Sequence, residues 1–187
     1  MVGTLSIQKT NGRTNITLSL DSHVLREIRK NADSQNTSIN ALINDVLSKH
    51  VLFYRYTTEQ KSVVIPSKFY SSMVKTMNEQ KQIELMKKLY LEIIPAIFTH
   101  NDISFTSDNL IKFCFEGIGL WAGMYNTFSH HVDANGDLCL VFEHSYGIKW
   151  SRIIAKSISH FVENVLVCTT EQEIMPNIAL IKILVKK

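Results

Sequence analysis

Long apolar runs are missing from this chain of 187 residues. None approaches the roughly 18 consecutive apolar residues that a membrane-spanning helix needs. The first residues also lack the basic segment and apolar stretch of a secretory leader, so a soluble, cytoplasmic protein is the expectation. Cysteine is scarce. Cys114, Cys139 and Cys168 are odd in number and widely spaced, which excludes a disulfide framework and reads as reduced thiols in or near a core. No internal repeat and no low-complexity tract occurs. Charge of either sign is modest: 20% of residues are charged, 45% are hydrophobic, and the formal net charge is +3. These are globular values, so disorder does not dominate, and the length allows one or two domains.

The small positive excess is unevenly placed. Of the 20 Lys and Arg, seven lie at or before Tyr56, with four of the 17 Asp and Glu; thirteen of each sign follow. An anionic partner meeting the N-terminal third is one explanation; a chance excess of three charges is the other.

Residues 1–12 are polar, carry only Lys9 and read as a flexible arm. From Thr14 to Leu20, Ile16, Leu18 and Leu20 alternate with Asn15, Thr17 and Ser19, the period-two pattern of a strand with one buried face. Asp21 or Ser22 then stands where a helix cap belongs, ahead of the stripe Val24, Leu25, Ile28 and Ala32. Ser34 to Thr37 is a polar turn cluster. Ser38 caps a second helix whose apolar residues Ile39, Leu42, Ile43, Val46, Leu47 and Val51 keep helical spacing.

This stretch, residues 13–56, resembles the ribbon-helix-helix family of DNA-binding proteins. The resemblance rests on the alternating strand, the cap at Asp21-Ser22, the two stripes, the turn with Asn36 and the cap Ser38. It implies a homodimer in which strands of two chains pair and enter the major groove of double-stranded DNA. Ile16, Leu18 and Leu20 would face the helices, while Asn15, Thr17 and Ser19 would face base edges. An Asn amide suits adenine, and Thr offers a hydroxyl and a methyl. Ser38 with the amides of Ile39 and Asn40 would hold a backbone phosphate at a helix N-terminus. Many family members carry Arg or Lys on the ribbon. Here the outward set is neutral, so Lys9, Arg13, Arg26, Arg29 and Lys30 would supply the phosphate attraction. The alternative is an ordinary strand-helix-helix start to one larger domain, with a solvated polar strand face.

Residues 57–61 read as a linker and 62–187 as a second, α+β domain. Ser62 to Ile65 suggests a short strand ended by Pro66. Helices are expected over 67–78 and 79–98, with a kink or end at Pro95. Ile103 to Phe105 suggests a strand, and a helix capped by Ser107 or Asp108 runs to Trp121. A hairpin follows, 128–132 and 138–144, turning at Asp133-Ala134-Asn135-Gly136-Asp137. A helix over 148–165 and a strand over 178–185 close the chain. From Ile103 the order strand, helix, strand, strand, helix, strand fits a ferredoxin-like sandwich with extra helices before it, its sheet antiparallel.

Chemistry-bearing signals are weak in this half. The Asp133–Asp137 loop lacks the glycine and the terminal acid of a calcium loop and reads as a turn. His130, His131, His144 and Cys139 share one hairpin. Nickel-responsive repressors, which join a ribbon-helix-helix to a ferredoxin-like sensor, use His-x-His with a Cys on the next strand. The matching spacing here gives His131, Asp133 and Cys139, a partial resemblance without the second His; the competing reading is His on an open sheet face. Glu143 to Ser151 is either a pocket rim or a capped helix start with Trp150 in the core. Gly117, Gly119 and Gly123 mark close helix packing rather than a phosphate loop. No nucleophile-base-acid arrangement is visible, so neither catalysis nor a cofactor is expected. The expected function is a dimeric transcriptional regulator with a C-terminal domain that oligomerises or senses a small-molecule effector. The alternatives are an antitoxin-like interaction protein whose N-terminal unit dimerises without reading DNA, and a metal- or small-molecule-binding protein.

Overall fold

A computed structural model describes residues 8–10, 13–55 and 65–184. The fold class is α+β. The chain divides into two compact units, 1–47 and 48–187.

The first unit begins with a small hairpin. β1 (Gln8–Thr10) pairs antiparallel with β2 (Arg13–Asn15), with Gln8 opposite Asn15 and Thr10 opposite Arg13. The arm expected over 1–12 therefore contributes a strand. The strand expected from Thr14 to Leu20 ends at Asn15, and residues 16–20 are irregular. A strand persists only where its backbone has a partner, and Gln8–Thr10 supplies one to Arg13–Asn15 alone. Helix α1 (Ser22–Ser34) starts as expected: the Asp21 carboxylate accepts the His23 N–H at 2.7 Å. It ends with Asn36 in the left-handed region (φ 50°), the Thr37 N–H reaching the Ala32 carbonyl and the Asn36 N–H that of Asp33. That is a Schellman stop, with Asn in the place usually taken by glycine. Helix α2 (Ile39–Lys49) follows, its third amide, Ala41, bonded to Ser38 Oγ at 3.1 Å.

The second unit opens with a π-helical turn, His50–Tyr54. The expected linker 57–61 and most of the expected strand 62–65 lie outside the described residues. Helix α3 spans Ser67–Thr76 and α4 spans Glu79–His100. Helix α4 does not end at Pro95 but runs through it. The carbonyl deprived of its donor belongs to Leu91, a residue 37% exposed. Ile103 to Phe105 is a connector rather than a strand. The Ile103 N–H closes on the Phe98 carbonyl (2.8 Å), and Phe105 stacks on Phe98 with ring centres 4.7 Å apart. Thr106, one residue before the expected cap, accepts the Asn109 N–H and starts a single α-turn, Ser107–Asn109. A π-helical segment, Leu110–Gly119, continues it.

Strands β3 (Thr127–Val132) and β4 (Leu138–Glu143) form the expected hairpin, and α5 (Ile148–Leu166) follows. Strands β5 (Thr169–Met175) and β6 (Ile178–Leu184) form a second hairpin. The sheet order is β3-β4-β6-β5, antiparallel throughout. Two hairpins joined by one helix replace the expected ferredoxin-like order, because the first expected strand is absent and β5 is added. Helix α5 lies between the sheet and α4. Its Ile153, Ile158, Phe161 and Val162 are wholly buried, as are Leu140, Phe142, Ala179 and Ile181 on the sheet face toward it. Burial of this extent is what holds the second unit together.

Candidate nucleic-acid interface

The first unit buries little. Ala32 is the only residue classed as buried among its described residues. Ile16, Leu18 and Leu20 are 51%, 50% and 40% exposed. Leu18 and Leu20 nevertheless face the helices: with Ile28, Leu42, Ile43, Val46 and Leu47 they line an open, apolar groove of about 270 Å³. The alternation at 16–20 and both helical stripes converge on that groove.

The polar residues between them are only partly gathered. Asn15 closes β2; Thr17 and Ser19 lie beyond it on the irregular segment, both exposed. The structure therefore does not bring the three expected base contacts onto one strand. Among the described residues, no backbone-backbone hydrogen bond involves residues 16–20. Lys9 and Arg13 occupy paired strands, at register positions opposite Thr14 and Thr10. On α1, Glu27 draws in two of the expected phosphate contacts: Lys30 at 2.9 Å and Arg26 at 3.9 Å. Arg29 is exposed on the same helix. At the start of α2, Ser38 Oγ is committed to Ala41, while the Ile39 and Asn40 amides precede the first intrahelical bond, Leu42 to Ser38. Free amides in that position favour an anion.

The expected metal candidates do not form a ligand set. His131 stands directly opposite Cys139 across the hairpin. Asp133, however, is committed elsewhere: one oxygen accepts the Asn135 and Asp137 amides, the other meets Lys182 Nζ at 2.8 Å. Lys182 also meets Asp137 at 3.0 Å. These bonds hold the Asp133 carboxyl below its usual range, the Lys182 contact first. Burial, then the charge of Asp133, pushes the Cys139 thiol up, away from the thiolate a metal needs. No group of three or more metal-ligating side chains occurs among the described residues. The Asp133–Asp137 loop is a turn, as expected, with Gly136 at φ 86°.

The Glu143–Ser151 junction is a helix start. Trp150 is 2% exposed and donates its indole N–H to the Met124 carbonyl at 2.8 Å. Tyr70 and Tyr146 meet it edge-on. One pair here had no sequence signal, because its partners meet only after folding. His144 and Ser151 are both buried, with Nε2 and Oγ 3.1 Å apart. The Tyr146 N–H donates to Nδ1, so the ring proton sits on Nε2 and points at Ser151. A buried hydroxyl that accepts from the imidazole is not its nucleophile. The glycines of the π-helical segment serve packing: a side chain at Gly119 would overlap the Tyr125 ring, whose hydroxyl donates to the Phe115 carbonyl at 2.7 Å.

No helix among the described residues is long and apolar enough to cross a membrane. Comparison with protein-family models, with curated proteins and with solved structures gives no match.

Proposed function

We propose that the chain is a dimeric, DNA-binding transcriptional regulator of the cytoplasm, with a second unit that oligomerises or senses a small-molecule effector. The observation that carries this reading is the groove of about 270 Å³ in the first unit, edged by half-exposed Leu18 and Leu20. A unit of this size whose described residues include a single buried one needs a partner to close its core. A second copy supplies that partner by pairing its residues 16–20 with ours, which extends both strands past Asn15 and drives Ile16, Leu18 and Leu20 into the groove. Thr17 and Ser19 then continue the outward row that Asn15 begins. The open amides of Ile39 and Asn40 and the excess positive charge before Tyr56 favour a phosphate backbone.

A second reading has its own support. Glu27 neutralises part of the α1 charge, and the outward set is neutral. Under that reading the first unit dimerises without contacting DNA, as an antitoxin-like interaction module would. A mobility-shift titration of the chain on the DNA upstream of its own gene, repeated at several salt concentrations, separates the two. Binding that falls steeply with salt supports the regulator, and no shift at micromolar protein refutes it.

A further inference from the structure

We propose that the outer edge of β3 is a second self-association surface, on which two copies of the chain join their sheets antiparallel about a two-fold axis at His130. This inference is independent of DNA binding and uses a different unit.

The backbone arrangement comes first. Among the described residues, β3 is an edge strand. At the β3–β4 turn the Asp133 N–H donates to the Asp137 carbonyl at 2.9 Å, and these residues continue the register in which Val132 faces Leu138. Bonded and unbonded pairs alternate along an antiparallel ladder. The bonded pairs are therefore His131 with Cys139 and Ser129 with Val141. Phe128, His130 and Val132 turn their N–H and C=O groups away from β4, toward the open edge.

The strand itself carries no guard, although the Glu116 carboxylate approaches His130 Nε2 at 3.5 Å. Sheets deter association with charges, proline or bulges on their edge strands. The other edge, β5, presents exposed Glu171 and Glu173. The β3 sequence Thr-Phe-Ser-His-His-Val contains no Asp, Glu, Lys, Arg or Pro. Val132 is 65% exposed at its end.

The occupant follows from register. A two-fold axis perpendicular to the sheet keeps both inner faces on one side, so paired residues must share a face. The outward groups at 128, 130 and 132 select the arrangement with His130 opposite itself and Phe128 opposite Val132 of the second copy. That closes a ladder of reciprocal backbone bonds. It covers exposed Val132 with an aromatic ring twice, a favourable cross-strand pairing. Ser129 meets the second copy's His131 on the other face. An unrelated extended peptide would satisfy the backbone but not these side-chain pairs.

Single cysteines in the full-length chain test the axis. Cα atoms of a directly opposed, bonded pair lie about 5.5 Å apart, within disulfide reach, so His130→Cys should yield a covalent dimer under mild oxidation. Residue 132 of one copy lies about 13 Å along the strand from residue 132 of the other, at four residues' rise, so Val132→Cys should not. The native chain, with Cys114, Cys139 and Cys168, sets the background. Adding Val132→Pro to His130→Cys removes an outward N–H at an exposed strand end, a place that tolerates proline, and should slow trapping at least tenfold. Circular dichroism verifies that each variant is folded. No dimer from His130→Cys, equal trapping from Val132→Cys, or no slowing by Val132→Pro would each overturn the proposal. Because the readout needs no DNA, its failure leaves the regulator reading standing, and the reverse also holds.

Discussion

His144 and Ser151 form a buried hydrogen bond in which the imidazole donates. The ring's second nitrogen is held by the Tyr146 amide, so neither nitrogen is left for a second proton. Burial accordingly lowers the His144 pKa from 6.5 to about 4. The folded pKa lies below the unfolded one. The unfolded chain therefore takes up the proton first as pH falls, and stability is lost between about 6.5 and 4, then levels off. The loss amounts to at most about 3 kcal/mol. Urea unfolding followed across that window should show it in the wild type, and a His144→Gln chain should show a flatter profile. Equal slopes for the two would refute the assignment.

Gly119 sits against the Tyr125 ring, and the Tyr125 hydroxyl holds the Phe115 carbonyl of the same π-helical segment. Gly119→Ala should force that ring aside and cost about 1–3 kcal/mol. Gly123→Ala is the contrast. Nothing lies near its side-chain position, but φ is +67°, so its cost is backbone strain alone. Combining Gly119→Ala with Tyr125→Ala relieves the overlap, and a double-mutant cycle should report the coupling.

Sequence pattern revealed the elements whose signals are local. Asp21 and Ser38 cap where side-chain chemistry placed them, and the Asn135-Gly136 turn lies between the strands it announced. β1, by contrast, falls within residues 1–12, whose polar composition carries no strand period. β5 had no legible period: of Thr169 to Met175 only Ile174 and Met175 are apolar, because an edge strand is only partly covered. The π-helical segment was read as an α-helix. Leu110, Cys114 and Gly117 are buried while Lys112 and Glu116 are exposed, a spacing that ten residues of either pitch can show. The candidate site was legible as a face, since every apolar residue lining the groove belongs to the expected alternation or stripes; Asn31 and Gln35, which also line it, do not. It was not legible as a strand, because residues 16–20 have no strand partner among the described residues.

Dimerisation through that face is open to direct test. Sedimentation at micromolar concentration should show a dimer or a larger assembly built from it. Leu18→Lys or Leu42→Lys should release the first-unit contact while leaving the second unit folded, since Phe161, Leu140 and Ile181 are buried without it. A monomeric wild type would defeat the proposal.

Operator composition follows from Asn15, Thr17 and Ser19, none of which has the bidentate guanidinium that reads guanine. Selection from a random duplex library should return A·T-leaning half-sites. Asn15→Ala should cost about 1–3 kcal/mol per contact and relax the preference at one position. Recovery of G·C-rich sites would contradict this.

Charge offers the final discrimination, because the basic residues of the first unit are not equivalent. Arg26 and Lys30 both meet Glu27, whereas Arg29 is exposed and Arg13 stands on β2 beside the proposed ribbon. None has a defined base-edge geometry, so each acts on phosphates or on the local potential. Arg13→Ala should weaken specific and non-specific binding by similar factors. The slope of log affinity against log salt should fall by about one if one phosphate contact per dimer is lost, and by nearly two if both symmetric copies lose theirs. Arg26→Ala and Lys30→Ala should do less, because Glu27 already offsets part of their charge; Glu27→Gln should strengthen binding and steepen the slope. If all four variants bind like the wild type at every salt concentration, these side chains are merely solvated and the first unit serves association alone.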